Sequence, residues 1–272
     1  MQRPVELNPS SFTCTYHIKY IQPALDDRVR RNYTFLGSEW IGGVRISSND
    51  LIALGVTLKL AAITAMLLLL IGLPIAWYLS RTKNRFRPVF EALIALPLVL
   101  PPTVLGFYLL ISFAPDAPLG AFWQMLTGQR LAFSFEGLVL GSMIYSLPFV
   151  VQPLQVSFSS IPSHLLDSAA TMGAKPLDRF FSIVLPLSRP GIITAITLGF
   201  AHTMGEFGVV LMIGGNIPGE TQVMSIALYD HVESLAYAEA HTVSLALLVI
   251  SFVVLLFTYS RHHNQLRFGF NR

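Results

Sequence analysis

Glu206 follows His202 by one helical turn inside a long apolar run, and the two side chains can pair there. An ionisable group at membrane depth is a functional candidate by default. The alternative is a structural role, in which Glu206 bonds to backbone N–H groups near Gly205 and Gly208. Lys59 sits in another apolar run, where it can meet an anion or snorkel outward along its own stem. Gln152 and Gln155 can line a gate or hydrogen-bond between helices. The segment 216–221, Asn-Ile-Pro-Gly-Glu-Thr, offers backbone N–H groups to an anion, or is a tight turn set by Pro218 and Gly219.

Other chemistries find no support in the residues. No Ser–His–Asp set or paired carboxylates stand out, and the candidate acids fall on connecting segments. The phosphate-cradling pattern Gly-x-x-x-x-Gly-Lys-Ser/Thr is missing, which excludes ATP hydrolysis by this sequence. His241, His262 and His263 have no metal-ligand spacing. Cys14 is the only cysteine, so neither an intrachain disulfide nor a cysteine metal site is expected.

The elements that position these residues are apolar. Of 272 residues, 53% are hydrophobic and 12% charged, with mean hydropathy +0.59. Soluble domains carry about 25% charged residues. A span needs roughly 20 mostly apolar residues, and five segments qualify: about 51–79, 89–113, 137–158, 191–214 and 242–259. The expected fold is all-α, a polytopic membrane helix bundle. Residues 1–47 read as a poorly ordered extension with no signal peptide, 48–260 as the transmembrane domain and 261–272 as a tail.

Charge gives the orientation. Arg81, Lys83, Arg85 and Arg87 follow the first span, and Lys175, Arg179 and Arg189 precede the fourth. Arg261, Arg267 and Arg272 follow the fifth, whereas the segment between the fourth and fifth holds four acids and no Lys or Arg. This alternation places the N-terminus outside and the C-terminus in the cytoplasm. The basic residues of the first 50 run against it, but only Arg45 lies close to a span. A net charge of +3 and pI of about 9.1 therefore report topology, and no nucleic-acid-binding pattern is present.

One connecting segment has a pattern of its own, 161–191. Ser163 is placed to cap a short helix carrying Leu165, Leu166, Ala169, Ala170 and Met172. Gly173 suits a left-handed stop, and Pro176 the first turn of a second helix. Leu177, Phe180, Phe181 and Val184 fall on one face of that helix, and Pro186 and Pro190 bracket the entry to the fourth span. Ala169 and Gly173 make a smooth strip that another protein can approach closely. An interfacial helix without a partner is the other reading.

Asp167-Ser168-Ala169-Ala170-Thr171-Met172-Gly173, nine further residues, then Ile183-Val184-Leu185-Pro186 resembles the coupling signature of ABC importer permeases. Asp167 stands where Glu is usual and Ser168 where Ala is usual. Pro97-Leu98-Val99-Leu100-Pro101-Pro102-Thr103-Val104, Gly205-Glu206-Phe207-Gly208 and Gly215 through Thr221 are similar to molybdate permeases of that family, with sulfate permeases close behind. The likeness covers roughly 48–260. It implies a type I importer fold and a homodimer with the path at its interface. It also implies an ATPase subunit holding ATP and Mg, which this chain does not bind, and an extracytoplasmic oxyanion-binding protein. Asp167, Ser168, Ala169, Ala170, Gly173 and Ala174 would contact the ATPase. Gln152, Gln155, Glu206 and Asn216 are the candidates for the path or gate. A carboxylate on that path would repel a dianion, which favours the structural role for Glu206. A stand-alone secondary transporter is the competing class, but no inverted repeat is evident among five spans.

Overall fold

The computed structural model describes residues 47–269, with side chains through Leu256 and at Ser260; all lie in one unit, Arg45–Arg272. The expected extension over 1–47 falls almost wholly outside the described residues. Regular structure among them is helical throughout.

Helix α1, Ser48–Arg81, begins at a capping box: Ser47 Oγ accepts from the Asn49 N–H, and Asp50 Oδ2 accepts from the Ser47 N–H at 3.2 Å. At 1.5 Å per residue its 34 residues span about 50 Å, more than the roughly 30 Å hydrocarbon layer. Ala61, Ala65, Gly72 and Ala76 form a buried small-residue strip on one face. Such a strip lets backbones approach, and a Cβ at Gly72 would already lie 3.1 Å from Val150 Cγ1.

The segment expected as one span over 89–113 is two helices, α2 (Arg87–Val99) and α3 (Pro102–Phe113), bent by 109°. Proline chemistry explains the break. Leu100 precedes Pro101 and is pushed to extended backbone, φ −70° and ψ 135°, and Pro101 and Pro102 donate no N–H. After α4 (Pro118–Thr127), helix α5 (Phe135–Ser159) continues through Pro148 and Pro153 without a break.

Helix α6 spans Ser163–Thr171 and α7 Pro176–Leu187; α7 turns 73° into α8, Arg189–Met204. The bend falls at Ser188, between Pro186 and Pro190. The expected fourth span over 191–214 is interrupted at 205–207 before α9, Gly208–Gly214. Then come α10 (Met224–Glu233) and α11 (Tyr237–Gly269). Among the described residues three helices are long and apolar enough to cross a membrane, up to five spans if each bent pair counts as one. Helices α1, α5 and α8 pack together as the centre, with α3 and α9 on one side and α10 and α11 on another.

Candidate functional site

The 169–174 turn is built as its residue types require. The Gly173 N–H donates to the Ala170 carbonyl and the Ala174 N–H to the Ala169 carbonyl, both at 3.0 Å, with Gly173 at φ +88°. These two bonds close a Schellman motif. Asp167, Ser168, Ala170 and Gly173 are exposed, while Ala169 and Ala174 are half-buried. Met172 projects beside them at 88% exposure.

Two details of this segment differ from expectation. The cap of α6 is Pro162, and Ser163 is the first helical residue with no capping bond. The single apolar face of α7 is split, because Phe180–Val184 winds as a π-helix. The Leu185 N–H reaches back to the Phe180 carbonyl, a wider turn next to Pro186, which donates no bond of its own. Val184 and Phe180 consequently turn inward, with Phe180 packed edge-on against Trp77 at 5.5 Å, while Leu177 and Phe181 face out.

Arginines tie the segment to the bundle. Arg179 Nη1 donates to the Leu166 carbonyl at 3.2 Å, so α7 holds the middle of α6. Arg81, at the end of α1, donates to the carbonyls of Phe158 and Ile161 at 3.3 and 3.2 Å and lies over the Trp77 ring. Bonded groups thus join α7 to α6, and the end of α1 to the end of α5 and to the residue two before α6.

An open cleft of about 630 Å³ lies beside α5 and α8. Leu98, Pro148, Phe149 and Leu198 make its walls, and Gln152, Ser157 and Thr194 supply the polar groups. Gln152 is exposed to it. Gln155 is held away: its Nε2 donates to Glu91 Oε1 at 2.5 Å, and Arg87 Nε donates to the same oxygen at 2.8 Å. It is the interhelical bond that this side chain adopts, and it joins α2 to α5.

His202 and Glu206 do not pair. His202 Nδ1 bonds Ser146 Oγ at 2.9 Å and its ring stacks on Phe149 at 3.8 Å. Glu206 lies in the break between α8 and α9 with 4% exposure, and among the described residues neither carboxylate oxygen has a partner at full hydrogen-bond geometry, although the Ser142 hydroxyl lies beside it. The backbone bonds expected near Gly205 and Gly208 are not made to it. Its own carbonyl accepts from Ser225 Oγ at 2.6 Å.

At the opposite end from Arg81, the 216–221 segment is a turn. Thr221 Oγ1 donates to the Gly214 carbonyl at 2.6 Å and accepts from the Ile217 N–H. The N–H groups of Glu220, Thr221 and Gln222 converge on the Ile217 carbonyl. Asn216, at φ +56°, donates through Nδ2 to Asp230, with Oδ2 at 2.9 Å. Lys59 lies over the Phe135 ring at 4.4 Å. A second relation escaped the sequence reading: His231 Nε2 bonds Asp50 Oδ1 at 2.9 Å and clasps α10 to the start of α1.

The chain is similar to known transport proteins. Residues 68–266 match the family described as binding-protein-dependent transport system inner membrane component. The molybdenum transport system permease protein ModB of Azotobacter vinelandii is 54% identical over 79% of this chain and 95% of its own length. ModB of Escherichia coli K12 is 33% identical over 73% and 88%. A probable sulfate transport permease of Nephroselmis olivacea is 32% identical over 75% and 72%. In fold, the chain is similar to a bacterial ABC transporter that imports alginate, with TM-score 0.68 at 15% identity over 91% of this chain and 92% of that one. It is also similar to an inward-facing methionine ABC transporter, with TM-score 0.59 at 17% identity over 76% and 92%. With its broken spans, its exposed turn at 169–174 and a family match over most of its length, the chain belongs to the binding-protein-dependent transport system inner membrane components.

Proposed function

We propose that this chain is the permease subunit of an ATP-driven importer that carries molybdate or tungstate across the inner membrane. The reading rests chiefly on its higher identity, over nearly the full length of the relative, to a permease named for molybdenum transport than to one named for sulfate transport. Sulfate is the second reading, favoured by that same relative. In a strain lacking the protein, uptake of labelled molybdate falls, and restored uptake resists excess sulfate. Sulfate competition at equal concentration overturns the molybdate assignment.

The mechanism follows from chemistry. A tetrahedral dianion cannot cross hydrocarbon bare, so the path must be enclosed. Two copies of the chain flank it, and the cleft bearing Gln152, Ser157 and Thr194 opens onto it. Neutral hydrogen-bond donors suit a dianion that must also leave. Asn216 belongs to the outer mouth, near the docked oxyanion-binding protein, and Gln155 acts on the gate through Glu91.

The Arg81 end faces the cytoplasm, with the N-terminus outside and the C-terminus inside. Asp167, Ser168, Ala169, Ala170, Gly173 and Ala174 sit against the ATPase subunit there. ATP and Mg belong to that subunit. Its closure pushes α6, and the Arg179 and Arg81 bonds carry the motion to the central helices as a rigid-body switch.

A further inference from the structure

Among the described residues, both carboxylate oxygens of Glu206, Ser142 Oγ and Thr64 Oγ1 are buried oxygens with no partner at full hydrogen-bond geometry, as are Ser188 Oγ and Asn216 Oδ1 elsewhere. Buried orphan polar atoms are rare, and each calls for an explanation. Here the first four belong together. Helices α1 and α5 run side by side in the same direction: Leu60 shares a core with Leu138, Gly72 faces Val150, and Arg81 reaches Phe158. That register sets Thr64 level with Ser142. Helix α8 runs the other way: Gly191 faces Ser157, Gly199 faces Val150, and Thr203 bonds Ser146. One turn further on, Glu206 arrives beside Ser142, whose hydroxyl is close enough to act on the carboxylate. Thr64 and Ser142 are fully buried and Glu206 is 4% exposed.

A carboxyl group in such surroundings either takes up a proton or keeps its charge beside a positive one. The protein supplies no such positive charge from its described residues. Lys59 is exposed and lies over Phe135, and His202 is engaged with Ser146 and Phe149. The donor set is all oxygen and therefore hard, and it carries a single negative charge. Calcium and magnesium sites commonly draw on several carboxylates or waters, whereas a monovalent ion is neutralised by one.

We propose that Glu206, Ser142 and Thr64 form a binding site for a small monovalent cation, sodium being the natural occupant. Bound there, the ion ties the break between α8 and α9 to α1 and α5. It also cancels a charge that would oppose a passing anion. The site does not depend on which oxyanion the protein carries.

The test uses the full chain with its ATPase subunits in lipid nanodiscs. Thermal unfolding is followed while sodium chloride replaces choline chloride at constant ionic strength. The expected result is a saturable rise of roughly 5 °C specific to sodium. It should be lost in Glu206→Gln and need higher sodium in Ser142→Ala and Thr64→Val. Glu136→Gln, an exposed acid, should keep the full response. Should Glu206→Gln fail to assemble, the two hydroxyl variants decide. No difference between sodium and choline, or an undiminished sodium response in Ser142→Ala and Thr64→Val, overturns the site.

Discussion

The Ala174 N–H donates to the Ala169 carbonyl at 3.0 Å, and this bond turns the chain out of α6 across Gly173 at φ +88°. Nothing lies within 4 Å of a Cβ built on Gly173, so a side chain there meets backbone strain and no clash. Gly173→Ala should cost about 1–2 kcal/mol in the turn, and Gly173→Asn less, because Asn tolerates the left-handed region. Stimulation of the ATPase by the assembled complex is the readout. The expected order is wild type, then Asn, then Ala, with unfolding temperature of the bundle nearly unchanged.

Arg81 bonds two carbonyls at the end of α5 and lies over Trp77 at 5.0 Å. Both bonds come from Nη2, while the planar guanidinium lies over the ring, a face-on contact that the shape of an ammonium does not reproduce. Arg81→Ala should lower stability by about 1–2 kcal/mol, the lower part of the range for charged hydrogen bonds because the side chain is half-exposed. Arg81→Lys should recover little of it. Denaturation of the detergent-solubilised protein measures both.

Close packing of α8 on α5 depends on Gly191, where a Cβ would fall 2.3 Å from Ser157 Cβ. Gly191→Ala should destabilise by about 1–3 kcal/mol through overpacking. Gly55 on α1 has nothing within 4 Å, so Gly55→Ala should be neutral or raise stability by up to about 1 kcal/mol. Equal unfolding temperatures for the two variants would contradict the packing described.

Gln152 is exposed to the cleft, whereas Gln155 is consumed by Glu91. Gln152→Glu should therefore reduce oxyanion uptake about tenfold or more by like-charge repulsion. Gln155→Ala should act instead on the tie between α2 and α5. Initial uptake rates at fixed ATPase activity separate the two effects.

Much of this was legible in the sequence because hydropathy and turn chemistry are local. The long apolar runs mark α1 and α5 directly, and Gly173 and Pro176 mark the coupling turn. Hydropathy reports burial but not direction, so 89–113 and 191–214 each read as one span despite the 109° bend at Pro101 and the interruption at Glu206. The π-helical stretch at Phe180–Val184 was invisible for a related reason: a period of 3.6 was assumed where an extra residue rotates the face. Helix α10 was missed because ten residues of mixed polarity resemble a loop. The His231–Asp50 and Glu91–Gln155 bonds join distant segments, and no spacing rule in one sequence reveals them.

The most direct measurement is uptake of labelled molybdate into proteoliposomes that hold this chain, its ATPase subunit and the oxyanion-binding protein. Uptake should require ATP and all three components, and Gly173→Asp should abolish it while leaving assembly intact. Uptake by liposomes holding this chain alone, or undiminished uptake with Gly173→Asp, would contradict the account.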